Sequence, residues 1–139
     1  EVTAKSFQSI YNTNVVGVFR VSEEVIPLLA KGSNPLIINL SSRLGSIELR
    51  GQSQLGGAIA YQCSKSALNM LTKQMSIDYA RHGIRAIAIS PGWVKTDMGG
   101  TEAKYEVSES VNLFLAQIDK LPASLNGVFL GEDGEMIPW

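Results

Sequence analysis

In Leu36-Ile-Ile-Asn-Leu-Ser-Ser42, Leu36 to Leu40 form a short apolar run with β-branched residues, preceded by the breaker Gly32-Ser-Asn-Pro35. It reads as a buried parallel strand with Ser41 and Ser42 at its carboxyl end. Upstream, Phe7, Ile10, Tyr11, Val15, Val18, Phe19 and Val25 recur at helical spacing. This predicts one long helix from about Thr3 to Ala30, bent or ended near its last turn by Pro27. Downstream, Tyr61, Lys65, Leu68, Leu71, Met75 and Tyr79 mark a second long helix from about Ala60 to Arg81, closed at His82-Gly83. Ile84 to Ser90 is the next strand, stopped by Pro91-Gly92. Helical spacing returns from about Val107 to Ile118, and Gly127 to Leu130 forms a last short strand before the Asp133-Gly134 turn. Helix and strand alternate throughout, which is an α/β pattern with right-handed crossovers. With parallel strands, Ser42 and the loop from Pro91 to Gly100 fall on the same sheet edge. The stretch from Arg43 to Ile59, rich in glycine and polar residues, shows neither periodicity and reads as a long loop of the kind that borders a site.

Composition narrows the function classes. The 139 residues, 45% hydrophobic and 18% charged, suit one globular domain or a large piece of one. A formal net charge of −1 with scattered basic residues gives no attraction to nucleic acid or anionic lipid. No apolar stretch approaches the roughly 20 residues that span a bilayer, and a cytoplasmic location is expected. Cys63 is the only cysteine and His82 the only histidine, so an internal disulfide and a Cys/His metal cluster are both excluded. His82, beside a helix end, suits an interaction with the negative end of the helix dipole better than catalysis.

Tyr61-Gln-Cys-Ser-Lys65 sets a phenol and an ammonium one helical turn apart, on one face. A neighbouring positive charge favours phenolate and lowers the tyrosine's pKa from about 10, fitting Tyr61 for general acid work near neutral pH. A hydroxyl from Ser42 beside it could hold a carbonyl oxygen while Tyr61 delivers a proton. The same spacing also occurs on ordinary exposed helices, so the pair alone leaves both readings open.

Leu36 to Ser42, Tyr61-x-x-x-Lys65 and Ile84-Arg-Ala-Ile-Ala-Ile-Ser-Pro-Gly-Trp-Val-Lys-Thr96 together resemble the short-chain dehydrogenase/reductase family in order and content. Ser41-Ser-Arg-Leu-Gly-Ser-Ile47, Ser64-Lys-Ser-Ala-Leu-Asn69, Pro91-Gly-Trp-Val-Lys-Thr-Asp-Met-Gly-Gly100 and the Pro138-Trp139 ending resemble its C-factor and sniffer-type carbonyl reductase branch. The resemblance covers essentially residues 1–139. It implies a Rossmann-like, doubly wound parallel sheet, of which this sequence matches the carboxy-terminal catalytic half. No glycine fingerprint follows a first strand, and Gly56-Gly57, Gly99-Gly100 and Gly131-x-x-Gly134 read as loop and turn glycines. The amino-terminal nucleotide-binding half is therefore expected to be absent from this chain.

The resemblance also implies roles. Tyr61 is the acid/base, and Lys65 lowers its pKa and holds the nicotinamide ribose. Ser42 positions the carbonyl, with a strand-end cap as its alternative. Asn14 supports a proton relay, or else bonds to backbone as a buried asparagine. Pro91, Gly92, Val94 and Thr96 pack against the nicotinamide, with a plain turn as the alternative. Trp93, Met98 and the loop from Arg43 to Ile59 shape the substrate pocket, or simply pack. The implied activity is NAD(P)-dependent hydride transfer between nicotinamide and a carbonyl or alcohol substrate, with NADP(H) favoured over NAD(H). Family members pair through the helices near 2–30 and 61–81. A rival reading is a truncated, non-catalytic chain acting as an interaction or oligomerisation module. A serine hydrolase is weaker still, because Ser42 has no detectable relation to the only histidine.

Overall fold

The computed structural model describes residues 2–51 and 58–139. Three parallel strands, β1 (Leu36–Leu40), β2 (Arg85–Ile89) and β3 (Phe129–Leu130), lie side by side in the order β1-β2-β3. Leu36 pairs with Arg85 and Leu40 with Ile89, and Ala88 and Ile89 pair with Phe129 and Leu130. Strand alternation assigns two faces. On one face Ile87, Ile89 and Leu130 are buried against Leu36, Ile38, Phe114 and Ile118, so helix α4 (Val107–Ile118) covers that side. On the other, Asn39 Nδ2 donates to Thr72 Oγ1 of helix α3 (Ile59–Asp78) at 2.8 Å, and Ala88 and Phe129 pack with Ile137 and Trp139. Helices thus flank both faces of a parallel sheet, a Rossmann-like arrangement.

The first helical region is not one regular helix. Helix α1 (Ala4–Tyr11) starts from a capping box between Thr3 and Ser6. It passes into a π-helical segment (Asn12–Gly17) and then into α2 (Val18–Leu29), whose last turn contains Pro27. The second long helix ends at Asp78 and leaves through a 3-10 turn (Ala80–His82) into left-handed Gly83. Strand β2 is buried along nearly its whole length. β1 departs from the expected buried strand: Leu36 to Ile38 are half-buried and Leu40 is exposed. Among the described residues it has a hydrogen-bonded neighbour, β2, on one side only.

All three strands end at the same edge of the sheet. Ser41-Ser42, Ser90-Pro91-Gly92 and Gly131-Glu132 follow β1, β2 and β3 there, so parallel pairing gathers three loops separated widely in sequence. The loop expected from Arg43 to Ile59 begins as a 3-10 turn (Arg43–Gly45), and its residues 52–57, with Gly56 and Gly57, lie outside the described residues.

Candidate active site

The loops after β1 and β2, with residues of α3 and α4, surround a cavity of about 730 Å³ whose lining includes Ser42, Tyr61, Pro91, Gly92, Val94 and Thr96. Most of the rest of its wall is apolar: Leu40, Leu44, Trp93, Met98, Val107, Val111 and Phe114. Six of the eight residues read from the sequence as site residues therefore share one cavity. Asn14 and Lys65 stand outside its lining.

Ser42 is held by its own loop. Its Oγ accepts from the Leu44 amide at 3.2 Å, capping the 3-10 turn, and its hydroxyl also acts on the Tyr61 side chain, favouring the phenolate. The cap and the contact with Tyr61, posed as alternatives by the sequence, coexist. Helix α3 is brought to this loop by a close backbone approach. A Cβ at Gly45 would lie 2.7 Å from the Lys65 carbonyl carbon, and Ser66 Oγ donates to the Gly45 carbonyl at 2.7 Å. Tyr61 and Lys65 face the end of β1 because glycine allows that contact.

The electrostatics differ from the sequence expectation. Burial pushes the Tyr61 phenol above its ordinary pKa, and the Ser42 hydrogen bond only partly opposes this. Burial pushes the Lys65 ammonium down. Lys65 Nζ donates to the Leu40 carbonyl at 2.8 Å and stands 5.6 Å from the centre of the Tyr61 ring. The expected lowering of Tyr61 by Lys65 is thus corrected: desolvation of the phenol prevails, and the opposing influence is Ser42.

Asn14 lies in the π-helical segment, where widened turns often mark functional positions. Its Nδ2 donates to Ser64 Oγ at 2.9 Å, and Ser64 Oγ donates to the Tyr61 carbonyl at 2.7 Å. Asn14 therefore reaches the α3 turn that carries Tyr61 and Lys65 through a side chain, not through backbone.

The loop after β2 is braced on several sides. Ser110 Oγ of α4 donates to the Pro91 carbonyl at 2.6 Å, Trp93 Nε1 donates to the Gly99 carbonyl at 2.8 Å, and Gly99 N donates to Thr96 Oγ1 at 3.1 Å. Val94 bridges to Tyr105, and Lys95 pairs with Glu106 at the start of α4. Gly92 has φ +80°, and a Cβ there would lie 2.8 Å from Glu132 Cδ and 2.9 Å from Tyr105 Cε2. The glycine serves the packing of its own loop against those side chains.

Sequence reasoning missed two parts of this site. Val107, Val111 and Phe114 bring α4 into the wall, and their i, i+4, i+7 spacing marked a face without saying what it faced. Arg43, in the loop expected to shape the pocket, lines the cavity beside Ser42, but its pairing with Glu132 at 3.4 Å and Glu135 at 2.5 Å was not foreseen. Burial works against its charge, but the hydrogen bonds and charges of Glu135 and Glu132 outweigh burial and the net shift is upward. No sequence signal joins residues so far apart. His82 and Cys63 lie outside the cavity lining, Cys63 exposed on α3 and His82 accepting from Arg81 Nε at 3.2 Å. Among the described residues, no cluster of His, Cys, Asp and Glu could hold a metal, and no helix is long and apolar enough to cross a membrane.

The fold agrees with what the chain is similar to. C-signal of Myxococcus xanthus is 36% identical over 129 residues, covering 93% of this chain and 76% of that protein. The NADPH-bound carbonyl reductase from chicken fatty liver superposes with a TM-score of 0.91 at 39% identity, and the carbonyl reductase Sniffer of D. melanogaster with 0.91 at 38%. Each structural match covers 99% of this chain and 59% of the other. The family model for short chain dehydrogenase matches residues 1–106, and this chain belongs to that family.

Proposed function

We propose that this chain carries the catalytic half of an NAD(P)-dependent oxidoreductase that interconverts a carbonyl and an alcohol, with Tyr61 as acid/base. The observation that carries this reading is that Ser42 and Tyr61 both line a cavity that is otherwise mostly apolar, close enough for the Ser42 hydroxyl to act on the phenol. Two hydroxyls meeting in such a cavity can both address one carbonyl oxygen. Ser42 orients it and Tyr61 Oη passes it a proton. The raised pKa of Tyr61 keeps the phenol protonated at neutral pH, which suits reduction.

The residues present fit a nicotinamide nucleotide. Pro91, Gly92, Val94 and Thr96 offer a braced wall of the same cavity as Ser42, and Lys65 holds an ammonium beside Tyr61 for the ribose hydroxyls. When bound, the nucleotide supplies the hydride. NADP(H) is favoured over NAD(H), supported by the NADPH in the chicken neighbour. Asn14, acting through Ser64, holds the α3 turn on which Tyr61 and Lys65 sit. The substrate is a small carbonyl or alcohol compound, and the proposed location is cytoplasmic.

A full-length protein containing this chain should consume NADPH in the presence of an apolar ketone. Lys65→Ala should both slow turnover and weaken nucleotide binding, because one ammonium serves the phenol's surroundings and the ribose. Unchanged nucleotide affinity in Lys65→Ala would remove Lys65 from the nucleotide site.

The reading as an interaction module has one observation in its favour. The free side of β1 and the neighbouring Val18, Val21 and Val25 of α2 form an open apolar groove. A strand edge of this kind is a template for pairing. Dimer contacts through the helices near 2–30 and 61–81 remain part of the same proposal.

A further inference from the structure

Glu132 is 6% exposed and follows β3, far in sequence from every residue assigned to the reaction. A buried carboxylate is retained only where something compensates its desolvation. Here the compensation is Arg43, the residue after Ser42, whose Nη2 lies 3.4 Å from Glu132 Oε2. Glu135 and Asp133 sit on the same guanidinium at 2.5 and 4.0 Å, so its charge is fully engaged. Two glycines make room for this arrangement. A Cβ at Gly131 would lie 2.5 Å from Arg43 Nη2, and a Cβ at Gly92 would lie 2.8 Å from Glu132 Cδ.

Glu132 therefore touches both walls of the cavity. Through Arg43 it holds the loop that carries Ser42, and by packing it holds the turn at Gly92. The Arg43 amide donates to Ser90 Oγ at 3.1 Å, which joins the same two loops a second time, from backbone to side chain. We propose that Glu132, acting through Arg43, is a positioning residue that sets the placement of Ser42 relative to the Pro91-Gly92 turn. Glu132 itself lies outside the cavity lining. The inference rests on the oxidoreductase reading for its catalytic consequence, but not for its structural one.

Two measurements on the full-length protein separate these. The Glu132→Gln variant keeps the shape and removes the charge. It should lower kcat by about ten- to a hundredfold, as a misplaced reacting group does, with nucleotide affinity nearly unchanged. Combined with Ser42→Ala it should be no slower than Ser42→Ala alone, because its effect passes through that hydroxyl. Arg43→Lys should retain more activity than Arg43→Met, and Gly131→Ala, which crowds the guanidinium without removing a charge, should mimic Glu132→Gln. Wild-type kcat in Glu132→Gln with only a lower Tm, or fully multiplicative effects with Ser42→Ala, would overturn the positioning role. Amide hydrogen exchange tests the placement without catalysis: the Arg43 and Leu44 amides should exchange faster in Glu132→Gln, and unchanged exchange would contradict it. Full activity in a Tyr61→Phe control would instead overturn the reaction assignment, leaving exchange to decide the role of Glu132.

Discussion

Gly45 lies against the backbone of Lys65 so closely that a Cβ on it would sit 2.7 Å from the Lys65 carbonyl carbon and 2.8 Å from its Cβ. The serine loop and helix α3 are in register because of this contact. Gly45→Ala should cost about 1–3 kcal/mol, as overpacking does, and should reduce turnover by moving Tyr61 away from Ser42. Thermal denaturation and kcat on the same variant check both. A stable, fully active Gly45→Ala would show that the loop and helix tolerate separation.

Ser42→Ala should show two losses of different origin. The missing cap on the Leu44 amide should cost about 1 kcal/mol of stability, while the missing hydroxyl at the carbonyl oxygen should lower kcat by orders of magnitude. Nucleotide binding should barely change. If stability alone falls, Ser42 is a structural cap and its contact with Tyr61 is incidental.

The raised pKa of Tyr61 sets the sign of the pH dependence. Reduction needs the phenol protonated, a condition met below its pKa and lost above it. This group should therefore leave reductive kcat/KM flat through neutrality, with a fall only above pH 10, while oxidation rises through the same range. The Ser42 hydrogen bond lowers the Tyr61 pKa, so Ser42→Ala should move both limbs to still higher pH. Profiles in the two directions test this. A limb near neutrality in the wild-type protein would return control of Tyr61 to the Lys65 charge.

The polypeptide of these 139 residues, prepared on its own, should self-associate and lack measurable affinity for either nucleotide. β1 offers an unpaired edge beside an apolar groove, and the residues fitted to the nucleotide address only its nicotinamide end. Light scattering and calorimetry distinguish this from a stable monomer with micromolar affinity.

Much of this architecture is legible in the residues. β1 and α4 have the boundaries expected, because Gly32-Ser-Asn-Pro35 and the Val107–Ile118 periodicity punctuate the chain sharply. The π-helical Asn12–Gly17 was not legible, since its apolar spacing also satisfies an ordinary helix. Ser42 and the Pro91–Thr96 loop could be placed on one edge because parallel strands deliver their carboxyl ends there, whereas Tyr61 stood out through its spacing to Lys65 and the family resemblance. The direction of the Tyr61 shift was missed because burial is a property of the assembled cavity, whereas the Tyr61/Lys65 spacing is local. The pairing of Arg43 with Glu132 was missed for a related reason. Their contact spans 89 positions and joins two strand ends that only the sheet brings together.

Tyr61→Phe tests the central claim most directly, because it keeps the ring in place and removes only the proton donor. Steady-state reduction of an apolar ketone by the full-length variant, with parallel nucleotide titration, should show kcat lower by about 10²–10⁴-fold and nearly unchanged nucleotide affinity. Turnover equal to wild type would contradict the assignment of Tyr61 as the acid/base.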